Sequence, residues 1–266
     1  MFKAYWEMTY NPFSKPSGGF CFESQDYKEA IARLKFLTAN KGIGLFTGAP
    51  GHGKTFVLRS YLSSLNPSLY KVFYTPLSTI TAMDFYRGLS LGLDIMPASR
   101  KVDLFRQIQE RIISLDKEKR VTPFIVLDEC QYLNTAILND LKIIFNFDMD
   151  SANHAVVILT GLPLLNNILV KQVHESIAQR IVINYMFTGL TESEANAYVI
   201  QGLRACGASD KVFQPAALAS LYAASGGSIR KLNALITNAL IAGAQKKLDS
   251  IGTDAIMDSL NEINIA

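Results

Sequence analysis

Short apolar runs alternate with amphipathic stretches over the first two thirds of the chain. Continuous apolar runs of this kind are typical of buried parallel strands, and they cover residues 44–47, 69–75, 124–127, 155–161 and 180–185. Apolar residues at helical spacing predict helices at 25–40, 56–62, 81–93, 102–115 and 134–146. This alternation predicts an α/β fold, with a parallel sheet flanked by helices on both faces.

The pattern changes after Gly189, where only helices are predicted. A capping box at 191–194 begins the first helix, which ends near Cys206. Pro215, Ser228 and Thr253 begin three more. The sequence therefore predicts an α/β domain over 25–189 and a small, all-helical C-terminal domain over 190–266.

A glycine-rich loop follows the first predicted strand. Its sequence, Gly48-Ala49-Pro50-Gly51-His52-Gly53-Lys54-Thr55, fits the pattern G-x-x-x-x-G-K-[ST] between a strand and a helix, the context that the pattern requires. The glycines let backbone N–H groups surround phosphate oxygens at the positive end of a helix. We expect Lys54 to reach the β- and γ-phosphates of ATP and Thr55 to hold Mg²⁺. A chance glycine turn is the alternative.

Two acidic residues, Asp128 and Glu129, end the apolar run 124–127. Ligands of open α/β sheets bind at the carboxyl ends of the strands, so both carboxylates are expected in a site. Asp128 would hold Mg²⁺ through a water, and Glu129 would polarise the water that attacks ATP. Acidic residues that only begin a helix would look similar, but the phosphate loop earlier in the chain favours ATP hydrolysis.

Composition indicates the class of protein and the cellular compartment. The 266 residues are 49% hydrophobic with a net charge of +3, which suits a globular protein and does not demand a nucleic-acid partner. Three scattered cysteines favour the cytoplasm over a disulfide framework or a zinc site. No stretch is typical of a signal peptide or a membrane span. The aromatic, turn-rich segment 1–24, with Asn11-Pro12-Phe13, is expected to pack near the nucleotide base.

The ordered set of motifs resembles the AAA+ ATPases, and more narrowly the ExeA/GspA type, over nearly the whole chain. The matching stretches are Tyr10-Asn11-Pro12-Phe13, Asp128-Glu129-Cys130-Gln131-Tyr132-Leu133, Gln179-Arg180-Ile181 and Gly227-Ser228-Ile229-Arg230-Lys231-Leu232-Asn233. The resemblance implies that Arg180 is an arginine finger for the γ-phosphate of a neighbouring subunit. It also implies that Arg230, in the helical lid, senses the γ-phosphate of its own subunit. A surface arginine in an ion pair is the alternative for each.

Two positions depart from the family's pattern. Leu162 stands just beyond Gly161, where relatives usually have a polar sensor residue. Thr160, on the same strand, is expected to take over that role. An ATP-switched binding module with negligible turnover therefore stays open as an alternative. Ile229 replaces a proline that is frequent in the lid motif, a change that a helix start tolerates.

Stand-alone relatives of this length resemble transposon ATPase subunits of the IstB, TniB and TnsC types. The resemblance implies an ATP-dependent ring or filament on double-stranded DNA, with little sequence specificity, that recruits or activates a DDE transposase. A secretion- or pilus-assembly ATPase that acts on protein partners is the alternative. Candidates for DNA-phosphate contacts, each otherwise a solvated charge, are Arg100, Lys101, Lys117, Lys119, Arg120 and Lys142. The charged run 116–120 is expected to be a solvated turn.

Overall fold

The structure is a computed structural model that describes residues 2–15, 20–76, 81–148 and 151–263. The chain forms two compact units. Unit 1 consists of Met1–Lys28, Ala49–Gly53 and Thr188–Ala266, and unit 2 consists of Glu29–Gly48 and Lys54–Phe187. Each unit buries a hydrophobic core of its own.

The strands and the longer helices follow one another in the order that the hydrophobic pattern predicts, whereas three helices of four to six residues were not predicted. The elements are α1 (Phe2–Tyr5), α2 (Gln25–Asn40), β1 (Gly42–Gly48), α3 (Lys54–Ser64), β2 (Tyr70–Pro76), α4 (Ala82–Gly92), α5 (Lys101–Ile113), β3 (Thr122–Asp128), α6 (Thr135–Ile144), β4 (Val156–Gly161), α7 (Leu164–Leu169), α8 (Glu175–Ala178), β5 (Ile181–Phe187), α9 (Glu192–Ala205), α10 (Pro215–Ser225), α11 (Ile229–Gln245) and α12 (Thr253–Ile263). A π-helical turn, Ser114–Glu118, follows α5, and single 3-10 turns lie at Cys130–Tyr132 and Gln172–His174.

Unit 2 is built on a five-stranded parallel sheet with the order β2-β3-β4-β1-β5. The three central strands are buried along nearly their whole length, as their continuous apolar sequences predict. Along the edge strand β5, buried or partly buried positions alternate with exposed ones. A parallel sheet flanked by helices and followed by a helical region confirms the predicted fold class.

The register of the sheet brings the chemically important strand ends to one edge. Thr47 of β1 pairs with Gly161 of β4, and Leu127 of β3 pairs with Leu159 of β4. Because the strands are parallel, their carboxyl ends point the same way. The phosphate loop, the acidic pair and the end of β4 therefore start from neighbouring strands.

Unit 1 is helical, and the N-terminal segment forms part of its core. The capping box of α9 is formed as predicted, with Thr191 and Glu194 hydrogen-bonded to each other's backbone N–H groups. Trp6 is buried, and its Nε1 donates a hydrogen bond to the Leu240 carbonyl at 2.8 Å. Within the part of the chain that the structure describes, no helix is long and apolar enough to cross a bilayer.

Within the charged run 116–120, residues 117–120 are exposed, as predicted for a solvated turn, but Asp116 is not. Asp116 lies in the π-helical turn after α5, and its side chain is only 11% exposed. Lys41 Nζ donates to its carboxylate at 2.5 Å, and His154 Nδ1 lies 2.8 Å from its other oxygen. Asp148 approaches His154 Nε2 at 3.3 Å. The run is therefore tied to residues that are remote in sequence.

This cluster should make the stability of the protein depend on pH. Burial alone would raise the pKa of the Asp116 carboxyl, but hydrogen bonds from Lys41 and His154 hold that pKa below its usual value. Such a carboxylate stabilises the fold above its unfolded pKa of about 4, and the contribution is lost as pH falls through the lower, folded pKa. Asp116→Asn should therefore lower the free energy of unfolding at pH 7 by about 1.5–3 kcal/mol.

Urea denaturation at neutral and at acidic pH measures this effect. The variant should lose less stability than the wild type on acidification, because the titrating group is gone. Asp210→Asn, which removes an exposed pair with Arg204, is the matched control and should change little. Equal stability of Asp116→Asn and wild type at pH 7 would show that the cluster contributes nothing.

Candidate nucleotide-binding site

The phosphate loop connects β1 to α3. Gly51 and Gly53 have φ angles of 84° and 92°, values that other residues rarely adopt. Lys54 and Thr55 are the first residues of α3, an 11-residue helix. The backbone N–H groups of its first turn lack partners within the helix, and they carry the positive end of its dipole. The loop therefore has the form that binds a phosphate chain.

In unit 2, the structure brings together the residues that were predicted to hold Mg²⁺. Thr55 Oγ1 lies 3.5 Å from Asp128 Oδ2, and Asp128 is only 4% exposed. Lys54 Nζ donates to the Gly48 carbonyl at 2.7 Å, so its ammonium stays at the phosphate loop. A hydroxyl and a carboxylate are the oxygen ligands that Mg²⁺ prefers, and the ion usually binds with one or two carboxylates and substrate phosphates. The residues present therefore fit this ion.

Tyr74 is a residue of this site that the sequence did not reveal. It lies on β2 and donates a hydrogen bond to Asp128 Oδ2 at 2.7 Å. Burial, and then the hydrogen bond to Asp128, raise the pKa of the Tyr74 phenol well above its usual value. Tyr74 therefore remains a neutral donor that orients the carboxylate of Asp128.

Glu129 has an unusual backbone conformation at the end of β3. Its φ and ψ are 60° and 38°, which is the left-handed region, and a residue with a side chain there costs about 1 kcal/mol or more. Its N–H donates to Asp128 Oδ1 at 2.9 Å. Its carboxylate accepts a hydrogen bond from Gln131 Nε2 at 2.6 Å. The turn thus separates two adjacent carboxylates into different environments.

The end of β4 contains Thr160, the residue that the sequence suggested as a sensor. Thr160 is fully buried, and its Oγ1 has no hydrogen-bond partner among the described residues. The Leu162 N–H donates to Gln131 Oε1 at 3.0 Å. Nearby, Asn166 of α7 donates to Thr47 Oγ1 at 2.7 Å. The sensing role of Thr160 remains a prediction, and Gln131 and Asn166 are polar residues of this region that sequence reasoning missed.

Arg180 lies between α8 and β5 and is partly exposed. Its Nη1 donates to the carbonyls of Lys142 and Phe145, at 3.2 and 3.5 Å, where α6 ends. A cation at the carboxyl end of a helix is stabilised by the helix dipole. The structure thus places Arg180 against α6 of its own chain, and contact with a neighbouring subunit remains a prediction.

In unit 1, the start of α11 lies against the phosphate loop. Ser228 caps α11 and donates a hydrogen bond to the Pro50 carbonyl at 3.3 Å. A side chain added at Gly51 would lie 2.4 Å from Ser228 Oγ and 2.8 Å from Arg230 Cβ. This close approach, together with its positive φ, requires glycine at position 51. The same approach places Arg230 beside the phosphate loop. Its predicted role is to sense the γ-phosphate of a nucleotide bound there.

The segment Asn11-Pro12-Phe13 belongs to the helical core of unit 1. Phe13 is only 4% exposed, and its ring centroid lies 5.8 Å from that of Tyr198. Asn11 accepts a hydrogen bond from the Phe13 N–H at 3.0 Å and donates to Thr237 Oγ1 at 3.4 Å. These contacts give the motif a structural role in the core of unit 1. Its contact with a nucleotide base remains a prediction.

Ion pairs engage several of the basic residues that were candidates for DNA contacts. Arg100 pairs with Asp103 at 2.8 Å, and Lys101 pairs with Asp140 at 2.6 Å. Lys117 pairs with Asp148 at 3.2 Å. Lys119 and Arg120 are exposed, with Arg120 in the left-handed region at a φ of 55°. The candidates therefore differ in how available their charges are to a polyanion.

Two known proteins are similar to this chain, one in sequence and one in fold. General secretion pathway protein A of Aeromonas hydrophila is 30% identical over 248 residues, which are 91% of this chain and 45% of that protein. The chain thus spans less than half the length of this curated relative. Cdc6p from Pyrobaculum aerophilum has a TM-score of 0.70 and 15% identity, with 97% of this chain and 73% of that chain covered.

A DNA-bound structure has a similar fold. Drosophila ORC bound to DNA gives a TM-score of 0.66 at 14% identity, with 91% of this chain and 61% of that chain covered. At these identities, the structural likeness shows the fold alone. A family profile described as an AAA domain matches residues 37–169, which is half of the chain and includes the phosphate loop and the acidic pair. The protein therefore belongs to the AAA domain family, within the AAA+ P-loop NTPases.

Proposed function

We propose that the protein is a Mg²⁺-dependent ATPase that assembles with ATP on double-stranded DNA and recruits or activates a DDE transposase. The observation that carries the hydrolytic part is the contact between Thr55 and Asp128, with Glu129 held beside it by the turn after β3. Lys54 would bind the β- and γ-phosphates. When bound, Mg²⁺ would neutralise charge on those phosphates.

Each remaining candidate has a proposed role. Glu129 accepts a proton from the attacking water, which is the task of a general base. Arg230 lies against the phosphate loop in unit 1, which supports its role as a sensor of the γ-phosphate. Arg180 is proposed to act on the nucleotide of a neighbouring subunit. Thr160 and the segment 11–13 are proposed to sense phosphate and to contact the base.

Support for DNA comes from two sources. The fold is shared with Drosophila ORC, a protein whose structure was determined bound to DNA. The order of the motifs resembles that of transposon ATPase subunits, which supports the transposase as a partner. The exposed Lys119 and Arg120 are the candidates whose charges are most accessible for DNA phosphates.

A second function has its own support. The 30% identical relative is named as a protein of the general secretion pathway. A secretion- or pilus-assembly ATPase would use the same nucleotide site to act on protein partners. Such a protein should be indifferent to DNA, and this difference separates the two proposals.

Assembly and turnover measured in the same samples test the proposed function. Sedimentation with ATP and double-stranded DNA together should show large complexes and faster hydrolysis than ATP alone. DNA affinity should fall about 10³-fold or more between about 50 and about 200 mM salt if six or more phosphates are contacted. Lys54→Ala should neither bind ATP nor assemble, because the loop loses its cation.

Each outcome of this experiment decides between the proposals. Lys246→Ala removes an exposed lysine that pairs with Asp258, and this matched control should behave as the wild type. Assembly with ATP that DNA does not change would favour the secretion function. Absence of ATP-dependent assembly, with and without DNA, would overturn the proposal.

A further inference from the structure

Gln131 connects two parts of the candidate site that are far apart in the sequence. They are Glu129, which follows β3, and Leu162, which follows β4. Gln131 lies in the single 3-10 turn Cys130–Tyr132 that follows β3. Its Nε2 donates to Glu129 Oε2 at 2.6 Å, and its Oε1 accepts from the Leu162 N–H at 3.0 Å. Both ends of the carboxamide are therefore used, with one end on the expected general base and the other at the end of β4.

The end of β4 is shaped to receive this carboxamide. A side chain added at Gly161 would lie 2.5 Å from Gln131 Oε1 and 3.4 Å from the Cys130 nitrogen. Glycine at this position thus leaves the space that Gln131 occupies. Any larger residue would push the carboxamide away from the Leu162 N–H and, with it, from Glu129.

Neither of the residues that flank Gly161 can supply the same contact with its side chain. Leu162 has no polar side chain, and only its backbone N–H reaches Gln131. Thr160 is fully buried, and its Oγ1 makes no hydrogen bond within the described ranges. Gln131 is therefore the residue that links the Glu129 carboxylate to β4 in this structure.

A general base acts efficiently only when its carboxylate is held in one orientation. A glutamate has three side-chain torsions, and Glu129 also stands on a strained, left-handed backbone. A hydrogen bond to a charged acceptor is stronger than one between neutral groups, and it fixes the direction of the carboxylate. A misplacement of about 1 Å can cost about 10²-fold in rate.

We propose that Gln131 is the positioning residue for Glu129. The inference rests on the proposed ATP hydrolysis. Gln131 acts through Glu129 and not on the nucleotide directly. Its carboxamide fixes the Glu129 carboxylate relative to the end of β4, and the rate of the chemical step depends on that geometry.

Two variants separate the donor from the acceptor of this carboxamide. Gln131→Ala removes both and should lower kcat about 10–100-fold, with KM and the equilibrium affinity for ATP nearly unchanged. Gln131→Glu keeps the size and the acceptor for the Leu162 N–H, but its ionised carboxylate cannot donate and repels Glu129. It should lower kcat at least as much. A wild-type kcat in either variant would overturn the proposal.

A double-mutant cycle tests whether Gln131 acts through Glu129. The variant with Glu129→Gln and Gln131→Ala together should be as slow as Glu129→Gln alone, because an absent base cannot be misplaced. Independent, multiplying losses would overturn the proposal, since Gln131 would then act by another route. Gln107→Ala is the matched control, because Gln107 also accepts from a backbone N–H, that of Ala98 at 3.3 Å, and it should keep the wild-type kcat.

The failure of this inference differs from the failure of the proposed function. If Glu129→Gln lowers turnover and Gln131→Ala does not, only the role of Gln131 is wrong. If Glu129→Gln leaves turnover unchanged, the proposed hydrolytic mechanism itself is wrong. Thermal unfolding of each variant completes the test, because a purely structural role for Gln131 would lower the unfolding temperature and the nucleotide affinity together with kcat.

Discussion

Replacement of Glu129 by glutamine should lower the kcat of ATP hydrolysis by about 10²–10⁴-fold, the usual contribution of a general base. Glutamine has the same shape as glutamate, but its amide cannot accept a proton from water. Lys54, Thr55 and Asp128 remain in place, so ATP should bind almost as tightly as before. Steady-state turnover with DNA present and equilibrium binding of ATP measure the two effects separately.

A matched variant controls for the loss of one negative charge. Glu175 also accepts a hydrogen bond from a glutamine, Gln179, at 3.1 Å, but it lies on the exposed side of α8. Glu175→Gln should retain the wild-type kcat. If Glu129→Gln hydrolyses ATP at the wild-type rate, Glu129 is not the base. If wild type and variant both bind ATP and neither hydrolyses it with DNA, the protein is an ATP-switched binding module.

The general architecture was predictable because each element has its own local pattern. Buried central strands are continuous apolar runs, and the helices between them have apolar residues every third or fourth position. The phosphate loop was equally clear, since its glycines and Lys54 are consecutive in the chain. Local sequence was sufficient wherever the determining residues are neighbours in the chain.

Contacts between different strands were not predictable in this way. Tyr74 fits the alternating pattern of the edge strand β2. Nothing in the sequence around it indicates that its hydroxyl would reach Asp128. Gln131 was part of a motif, but its contact with the Leu162 N–H depends on the register between β3 and β4. Such roles follow from the sheet, which a single sequence does not specify residue by residue.

Asp116, the first residue of the charged run 116–120, is another residue whose contacts were not predictable from the local sequence. Consecutive charges usually lie in solvent, and the sequence around Asp116 contains no sign of burial. Of its partners, Lys41 precedes it in the sequence and His154 follows it. Both come close to Asp116 only when the sheet has formed. The packing of Phe13 against Tyr198 of α9 was likewise not predicted from the local sequence, and its contact with a nucleotide remains a prediction.

Replacement of Arg180 by alanine should lower kcat by about 10³-fold or more, because an arginine that enters in trans contributes about 10³–10⁵ to phosphoryl transfer. A structural role within its own subunit is the alternative, since the guanidinium of Arg180 donates to carbonyls at the end of α6. Arg111→Ala is the matched control, because Arg111 Nε donates to the Leu93 carbonyl, beyond α4, at 3.0 Å. It should retain the wild-type kcat at unchanged ATP affinity.

Mixing two inactive variants decides whether Arg180 acts on a neighbour. In an equal mixture of Arg180→Ala and Glu129→Gln, random assembly gives about a quarter of the interfaces an intact glutamate facing an intact arginine. Such interfaces should restore up to about a quarter of the wild-type rate. A structural arginine, or one that serves its own subunit, gives no active combination, so the mixture would stay as slow as its components. Recovery would therefore place the complete active site between two copies of the chain, and it would explain why hydrolysis should accelerate on assembly.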